Sequence, residues 1–165
     1  MKGLKNMKGL KKNKKGFTLI ELLAVIVILG ILMLVAIPSV TRFINQSRQK
    51  TFKNAAQMII DAVRNDAVNN QVASDCNVEI NDTNIKLEKG NISEYVGYVT
   101  VDRDDTNATY KYSINIIDKK NDYHLIASEG AIDGLKFATS AQTGTDKFYR
   151  DTADTLTTPN PKCNY

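Results

Sequence analysis

Lys14-Lys15-Gly16-Phe17-Thr18-Leu19-Ile20-Glu21 is the stretch on which the reading of this chain turns. A lysine-rich segment stops at a glycine, and a phenylalanine then opens a long apolar run. From Phe17 to Ile37 there are 21 residues, and Glu21 is the only charged one. At about 1.5 Å rise per residue, a helix of that length spans the ~30 Å hydrocarbon core of a bilayer. A carboxylate is costly inside such a run, so its presence points to a function.

Toward the N-terminus, Met1 to Gly16 holds seven lysines and no acids. The whole chain has a formal net charge of +4, but without this leader 15 basic residues face 18 acidic ones. The basic balance belongs to the leader, and no nucleic-acid partner is expected from it. Met1-Lys-Gly-Leu-Lys5 recurs as Met7-Lys-Gly-Leu-Lys11, so either methionine fits a true start. A Sec-type signal peptide would have a shorter apolar core closed by a small-residue cleavage site. No Ala-x-Ala-like site closes this run before Pro38. A cut at the Gly16–Phe17 junction would instead remove the lysines and keep the anchor. Seven lysines before the run, against Arg42, Arg48, Lys50 and Lys53 after it, favour a cytoplasmic N-terminus and an outer C-terminal domain.

Beyond Pro38, apolar residues recur at helical spacing: Val40, Phe43, Ile44, Phe52, Ala55, Ile59, Val63 and Ala67. Polar and charged residues lie between them, which predicts an amphipathic helix continuing to about Val72, with Ser74-Asp75 as its break. Pro38 lacks an amide hydrogen and Gly30 is a weak helix former, so a bend is expected in this stretch. After Cys76 the period changes to two. Tyr110, Tyr112, Ile114 and Ile116 alternate with polar residues, and Asp118–Asp122 forms a turn into a returning strand from Tyr123 to Ser128. Glu94 to Val101 is another strand with apolar residues on both parities, and 85–87 and 135–137 are shorter candidates. Residues 138–162 read as a mostly irregular C-terminal region. The expected fold is α+β: a long N-terminal helix, one half for the membrane and one half amphipathic, packed on an antiparallel sheet. The expected divisions are a leader over 1–16, a membrane segment over 17–39, an amphipathic helix over 40–74 and a sheet-bearing head over 75–165.

The string Lys-Lys-Gly-Phe-Thr-Leu-Ile-Glu-Leu, followed by an apolar segment with Gly30 and Pro38, resembles a type IV prepilin over roughly residues 10–50. The resemblance implies that a prepilin peptidase cuts between Gly16 and Phe17 and that Phe17 is N-methylated. It implies assembly through Glu21, with Thr18 adding a hydrogen bond, into a homopolymer of identical subunits. It also implies an assembly ATPase and a platform protein. The precursor would sit in the cytoplasmic membrane and the product in an extracellular filament serving adhesion, motility or aggregation. The segment between Gly30 and Pro38 would bend in the monomer and lose helical order in the filament. A pseudopilin of a type II secretion or DNA-uptake machine, and a minor or tip pilin, share the same N-terminal chemistry.

Cys76 and Cys163 admit three readings: a disulfide across most of the outer domain, two free thiols, or a zinc site with His124. Two cysteines and one histidine without local metal-ligand spacing argue against zinc. Asp102–Asn107 clusters oxygen donors, but Asn107 stands where a calcium loop needs glycine and Ser113 where it needs glutamate, so a solvated turn is expected. His124 is expected to be a partly exposed structural residue. No phosphate loop, nucleophile elbow or zinc-enzyme signature is present, and neither catalysis nor a cofactor is expected.

Overall fold

The computed structural model describes residues 16–70, 75–87, 90–104, 106–107, 109–139, 143–151 and 156–163. The leader before Gly16 and the expected helix end at Val72 and Ser74 lie outside the described residues. The elements run in the order α1 (Leu19–Asn70), β1 (Cys76–Glu79), β2 (Tyr95–Asp104), β3 (Thr109–Asp118), β4 (Tyr123–Ser128) and β5 (Lys147–Arg150). The chain divides into two compact units, Met1–Phe43 and Ile44–Tyr165.

In the first unit, α1 is apolar on every face from Leu19 to Ile37 except at Glu21. Its large side chains are exposed throughout. It contains an 18-residue window of mean hydropathy 3.1, long and apolar enough to cross a membrane. The helix continues through Gly30 and Pro38.

In the second unit, α1 carries one buried stripe. Phe52, Ala55, Ala56, Ile59, Ile60, Val63 and Ala67 are all buried, at the i, i+3, i+4 spacing of one helix face. The five strands form one antiparallel sheet in sequence order, and its inner face receives this stripe. Register explains which strand residues face inward. Val78 pairs with Val99, Val99 with Ile114, and Ile114 with Ala127, a row of β-branched and small side chains across four strands. Leu125 pairs with Phe148, which lies 5.8 Å from the Phe52 ring. The mixed parity of β2 resolves here: Val99 and Val101 are buried with the core, while Val96 and Tyr98 are half-buried on the other parity. Gly97 sits at φ 149°, and a Cβ built there would lie 2.0 Å from the Asn115 carbonyl oxygen. Only glycine fits that close approach of β2 to β3.

The β3–β4 turn is set by Asp118, buried yet satisfied. Its Oδ1 accepts from the Lys120 and Asn121 N–H groups at 2.9 and 3.2 Å, and its Oδ2 accepts from Asn121 Nδ2 at 2.7 Å. Asp122 then takes the left-handed conformation at φ 55°.

Both sheet edges are covered by short single-bridge segments. Along β5, Ala138 donates to Phe148 O at 2.9 Å and accepts from Arg150 N at 3.2 Å. Along β1, Asn77 donates to Pro161 O at 2.9 Å and Cys163 donates to Asn77 O at 3.0 Å. An uncovered edge would template pairing with other chains.

Several sequence expectations need correction. Residues 85–87 and 135–137 are not strands, because their apolar side chains pack on the core from connecting segments. The C-terminal region holds β5, which the surrounding threonines and prolines concealed; its four residues are too few to show a period. β1 was not expected and is equally short. Val40, Phe43 and Ile44 were placed in the stripe that a sheet would cover, yet they are exposed, and sheet cover begins at Phe52.

Candidate functional site

The N-terminal site is built from Gly16 to Glu21. Gly16, Phe17 and Thr18 precede the helix, which begins at Leu19. The Thr18 N–H donates to Glu21 Oε2 at 2.7 Å, and the Thr18 hydroxyl donates to the same oxygen at 2.8 Å. In return the Glu21 N–H donates to Thr18 Oγ1 at 3.3 Å. This is a reciprocal capping box, with threonine at the N-cap and glutamate three residues on. The T-x-x-E spacing is that of a capping box, so Glu21 has a role within its own helix beside the intermolecular one that the resemblance implies.

Phe17 is 91% exposed, so its ring is left uncovered by the described residues. At Gly16 nothing lies within 4 Å of a built Cβ, and its φ is not in the left-handed region. Glycine at 16 is therefore not demanded by this fold, and the same holds for Gly30. The peptide between Gly16 and Phe17 is accessible and outside the helix.

The second locus ties the C-terminal segment to β1. Cys76 and Cys163 are joined by a disulfide, with 87 residues of sequence separation. Both cysteines contact Ala67 near the end of α1. Beside them Asn77 is buried and fully used. Its Nδ2 donates to Pro159 O at 3.3 Å and Pro161 O at 3.2 Å, and its Oδ1 accepts from the Thr100 hydroxyl at 2.7 Å. Nothing in the sequence singled out Asn77, since the two carbonyls it holds lie more than 80 positions away.

His124 departs from expectation. It is buried rather than partly exposed, on the sheet face opposite α1. Its Nδ1 lies 2.8 Å from Asp151 Oδ2 and 2.9 Å from the Tyr149 hydroxyl, and its Nε2 lies 2.7 Å from Asn115 Oδ1. The Tyr149 phenol is pushed up by burial and by the Asp151 charge. The ring is therefore hydrogen-bonded from both sides. Among the described residues no cluster of three His, Cys, Asp or Glu side chains is arranged to hold a metal. Asp104, in the expected turn region, accepts from Lys111, Asn107 and the Thr106 N–H, which lower its carboxyl to a pKa of about 2.

A family model described as the prokaryotic N-terminal methylation motif matches residues 11–37. The chain is similar to the ComG operon protein 3 homolog of Bacillus licheniformis, 58% identical over 38 residues, which is 23% of this chain and 38% of that one. It is also similar to competence protein ComGC of Bacillus subtilis, 46% identical over 50 residues, 30% of this chain and 50% of the relative. The chain thus spans at most half the length of these curated relatives. No solved structure matches it. The methylation motif, these two likenesses and a capped apolar helix opening at an accessible glycine–phenylalanine junction make the N-terminal segment similar to that of type IV pilin-like proteins.

Proposed function

We propose that this chain is a structural subunit of a type IV pilus. A precursor held in the cytoplasmic membrane by residues 17–39 is cut by prepilin peptidase, and its N-terminal helix then polymerises into an extracellular filament. Hydrolysis of the Gly16–Phe17 peptide leaves a carboxylate on the leader and a new amine on Phe17, which is methylated. Adhesion, motility or aggregation would be the filament's work. An assembly ATPase and a platform protein would extract each subunit.

One observation carries this reading: the only acid of the otherwise uncharged, exposed apolar run over 17–37 stands one turn from the new amine. An isolated ammonium and an isolated carboxylate are each costly in lipid, and pairing lessens the cost. Both recorded Glu21 side-chain bonds use Oε2. A carboxylate has about four acceptor sites, so capping its own helix leaves Glu21 able to accept the Phe17 amine of a neighbour. Apolar helices gain little by leaving lipid for an equally apolar bundle, so close packing and this pairing would drive association. Gly30 and Pro38 would then allow local bending or loss of helical order in the packed filament.

A second reading is favoured by the names of the relatives. One of them is named a competence protein, and a pseudopilin of a DNA-uptake machine would share the same cleavage and assembly chemistry. Intact mass of protein sheared from cells tests the shared part: loss of the leader, gain of a methyl group and loss of two hydrogens at the disulfide. Deleting the gene separates the readings. Loss of abundant long filaments with normal DNA uptake supports the pilus, and loss of DNA uptake with no long filaments in the parent supports the pseudopilin. Surface material that retains the leader would sink both.

A further inference from the structure

The unit from Ile44 onward is acidic as a whole, with 14 basic against 17 acidic residues. Half of its basic side chains, seven of 14, nevertheless lie at the end where the chain enters, Lys53 among them. Contacts map that end. The Phe52 ring lies 6.0 Å from Tyr95 and 5.9 Å from Tyr123. The Lys119 N–H donates to Glu94 O at 3.1 Å. Lys53 Nζ donates to Asp133 O at 3.0 Å and to Leu135 O. These contacts bring the β3–β4 turn and the 133–137 segment beside residues 46–53 of α1. Arg48 and Arg150 are near enough to Tyr123 to offset part of the rise that burial gives its phenol.

Arg48, Lys50, Lys119, Lys120, Lys136 and Arg150 are all exposed at this end. Its acids are Glu94, Asp118, Asp122, Asp133 and Asp151. Two of these are already engaged, Asp118 by its own turn and Asp151 by His124. At the far end of the unit, where Ala67 meets the disulfide, the balance reverses: Asp66, Asp75, Asp102 and Asp104 stand against Arg103 and Lys111. The entry end also holds a cleft of about 290 Å³ beside Lys53, with Gln46, Lys50, Asn54 and Asp133 as polar walls and Phe137 and Phe148 as apolar ones.

The apolar run ends at Ile37, and this unit begins at Ile44. Seven residues reach at most about 25 Å even when extended. In a membrane-anchored chain the entry end therefore cannot stray far from the lipid surface.

We propose that this basic rim docks on anionic phospholipid headgroups of the outer leaflet while the chain is still a membrane-anchored precursor. The inference rests on the anchored-precursor reading above. A Lys or Arg near an anionic surface contributes about 1 kcal/mol, and the attraction fades within a Debye length of about 8 Å at physiological salt. Five acids at the same end oppose this, so seven basic against five acidic side chains leave a modest net attraction that would hold the tethered unit against the membrane, and extraction into a filament would release it.

The test uses the full processed chain in vesicles of phosphatidylcholine alone or mixed with phosphatidylglycerol. Flotation scores insertion, and amine-reactive labelling read by mass spectrometry scores each lysine. Expected is several-fold slower labelling of Lys50, Lys119, Lys120 and Lys136 on the anionic vesicles only, reversed by high salt, with Lys86 and Lys111 unchanged. The double variant Lys119→Glu, Lys120→Glu leaves the turn-capping Asp118 in place and should abolish the protection at Lys50 and Lys136. Equal labelling on both vesicle types overturns the docking while leaving the anchor reading intact. Protection on both types that grows with protein density also overturns it, because a second copy would then cover the rim. Failure to float overturns the anchor reading and the docking together.

Discussion

Glu21 holds Thr18 twice through a single oxygen, with the Thr18 N–H at 2.7 Å and its hydroxyl at 2.8 Å from Oε2. The same carboxylate therefore caps the helix start, and in the proposed filament it would also receive a cation at the tip. Capping needs an acceptor oxygen, while pairing with an amine needs the negative charge.

Glu21→Gln separates these two demands. The amide oxygen still accepts from Thr18, but the charge is gone. Filament yield from sheared cells should fall close to the level of Glu21→Ala. Thr18→Ala removes a cap worth about 1 kcal/mol and should lower yield only modestly. Near-normal filaments from Glu21→Gln would mean that capping, and not charge pairing, is the residue's role.

The disulfide closes a loop over 87 positions of sequence separation. In the chain-entropy model such a cross-link contributes about 4–5 kcal/mol by restricting the unfolded chain. Cys163→Ser and the double variant with Cys76→Ser should lose similar stability in denaturant titrations, since either change opens the same loop. A double variant much less stable than the single one would contradict this.

Asn77 donates to two C-terminal carbonyls and accepts from Thr100. Asn77→Ala leaves those groups without their buried partner, at a cost of about 2–3 kcal/mol. The C-terminal segment should then be nicked faster by proteases while the disulfide keeps the fragments joined, visible on reducing gels only.

A side chain at Gly97 would meet the Asn115 carbonyl oxygen at 2.0 Å. Gly97→Ala must push β2 from β3 or adopt a strained backbone, costing about 3 kcal/mol or more. Soluble expression and thermal midpoint should both drop. An unchanged midpoint would show that the strands separate there without penalty.

Asp104 has its carboxyl lowered from 3.8 to about 2, first by the Lys111 hydrogen bond, then by Asn107 and the Thr106 N–H. A depressed folded-state value means the unfolded chain takes up the proton first. Its contribution to stability is thus present above about pH 4 and is lost as pH falls toward about 2. The parent should lose more stability across that window than Asp104→Asn, measured by thermal midpoint against pH.

The three longer strands and the buried stripe were legible because they repeat. Tyr112, Ile114 and Ile116 alternate over a strand of ten residues, long enough for period two to declare itself. Phe52, Ile59 and Val63 keep helical spacing over several turns. β1 and β5 have four residues each, and no period is readable at that length. His124 appeared half-exposed because its cover comes from Asn115, Tyr149 and Asp151 on other segments.

By itself the sequence determined the tip: the acid that breaks a charge-free run, the glycine before a phenylalanine and the T-x-x-E spacing all lie between Gly16 and Glu21. Such local features depend on the backbone alone, so order in the chain already states them. Only the tertiary structure decided how the outer unit closes: that Asn77 clasps the last segment, that both sheet edges are covered, and that basic residues from α1, the β3–β4 turn and β5 share one end. Those are contacts between positions up to 86 residues apart, and their energies exist only once the chain has brought the groups together.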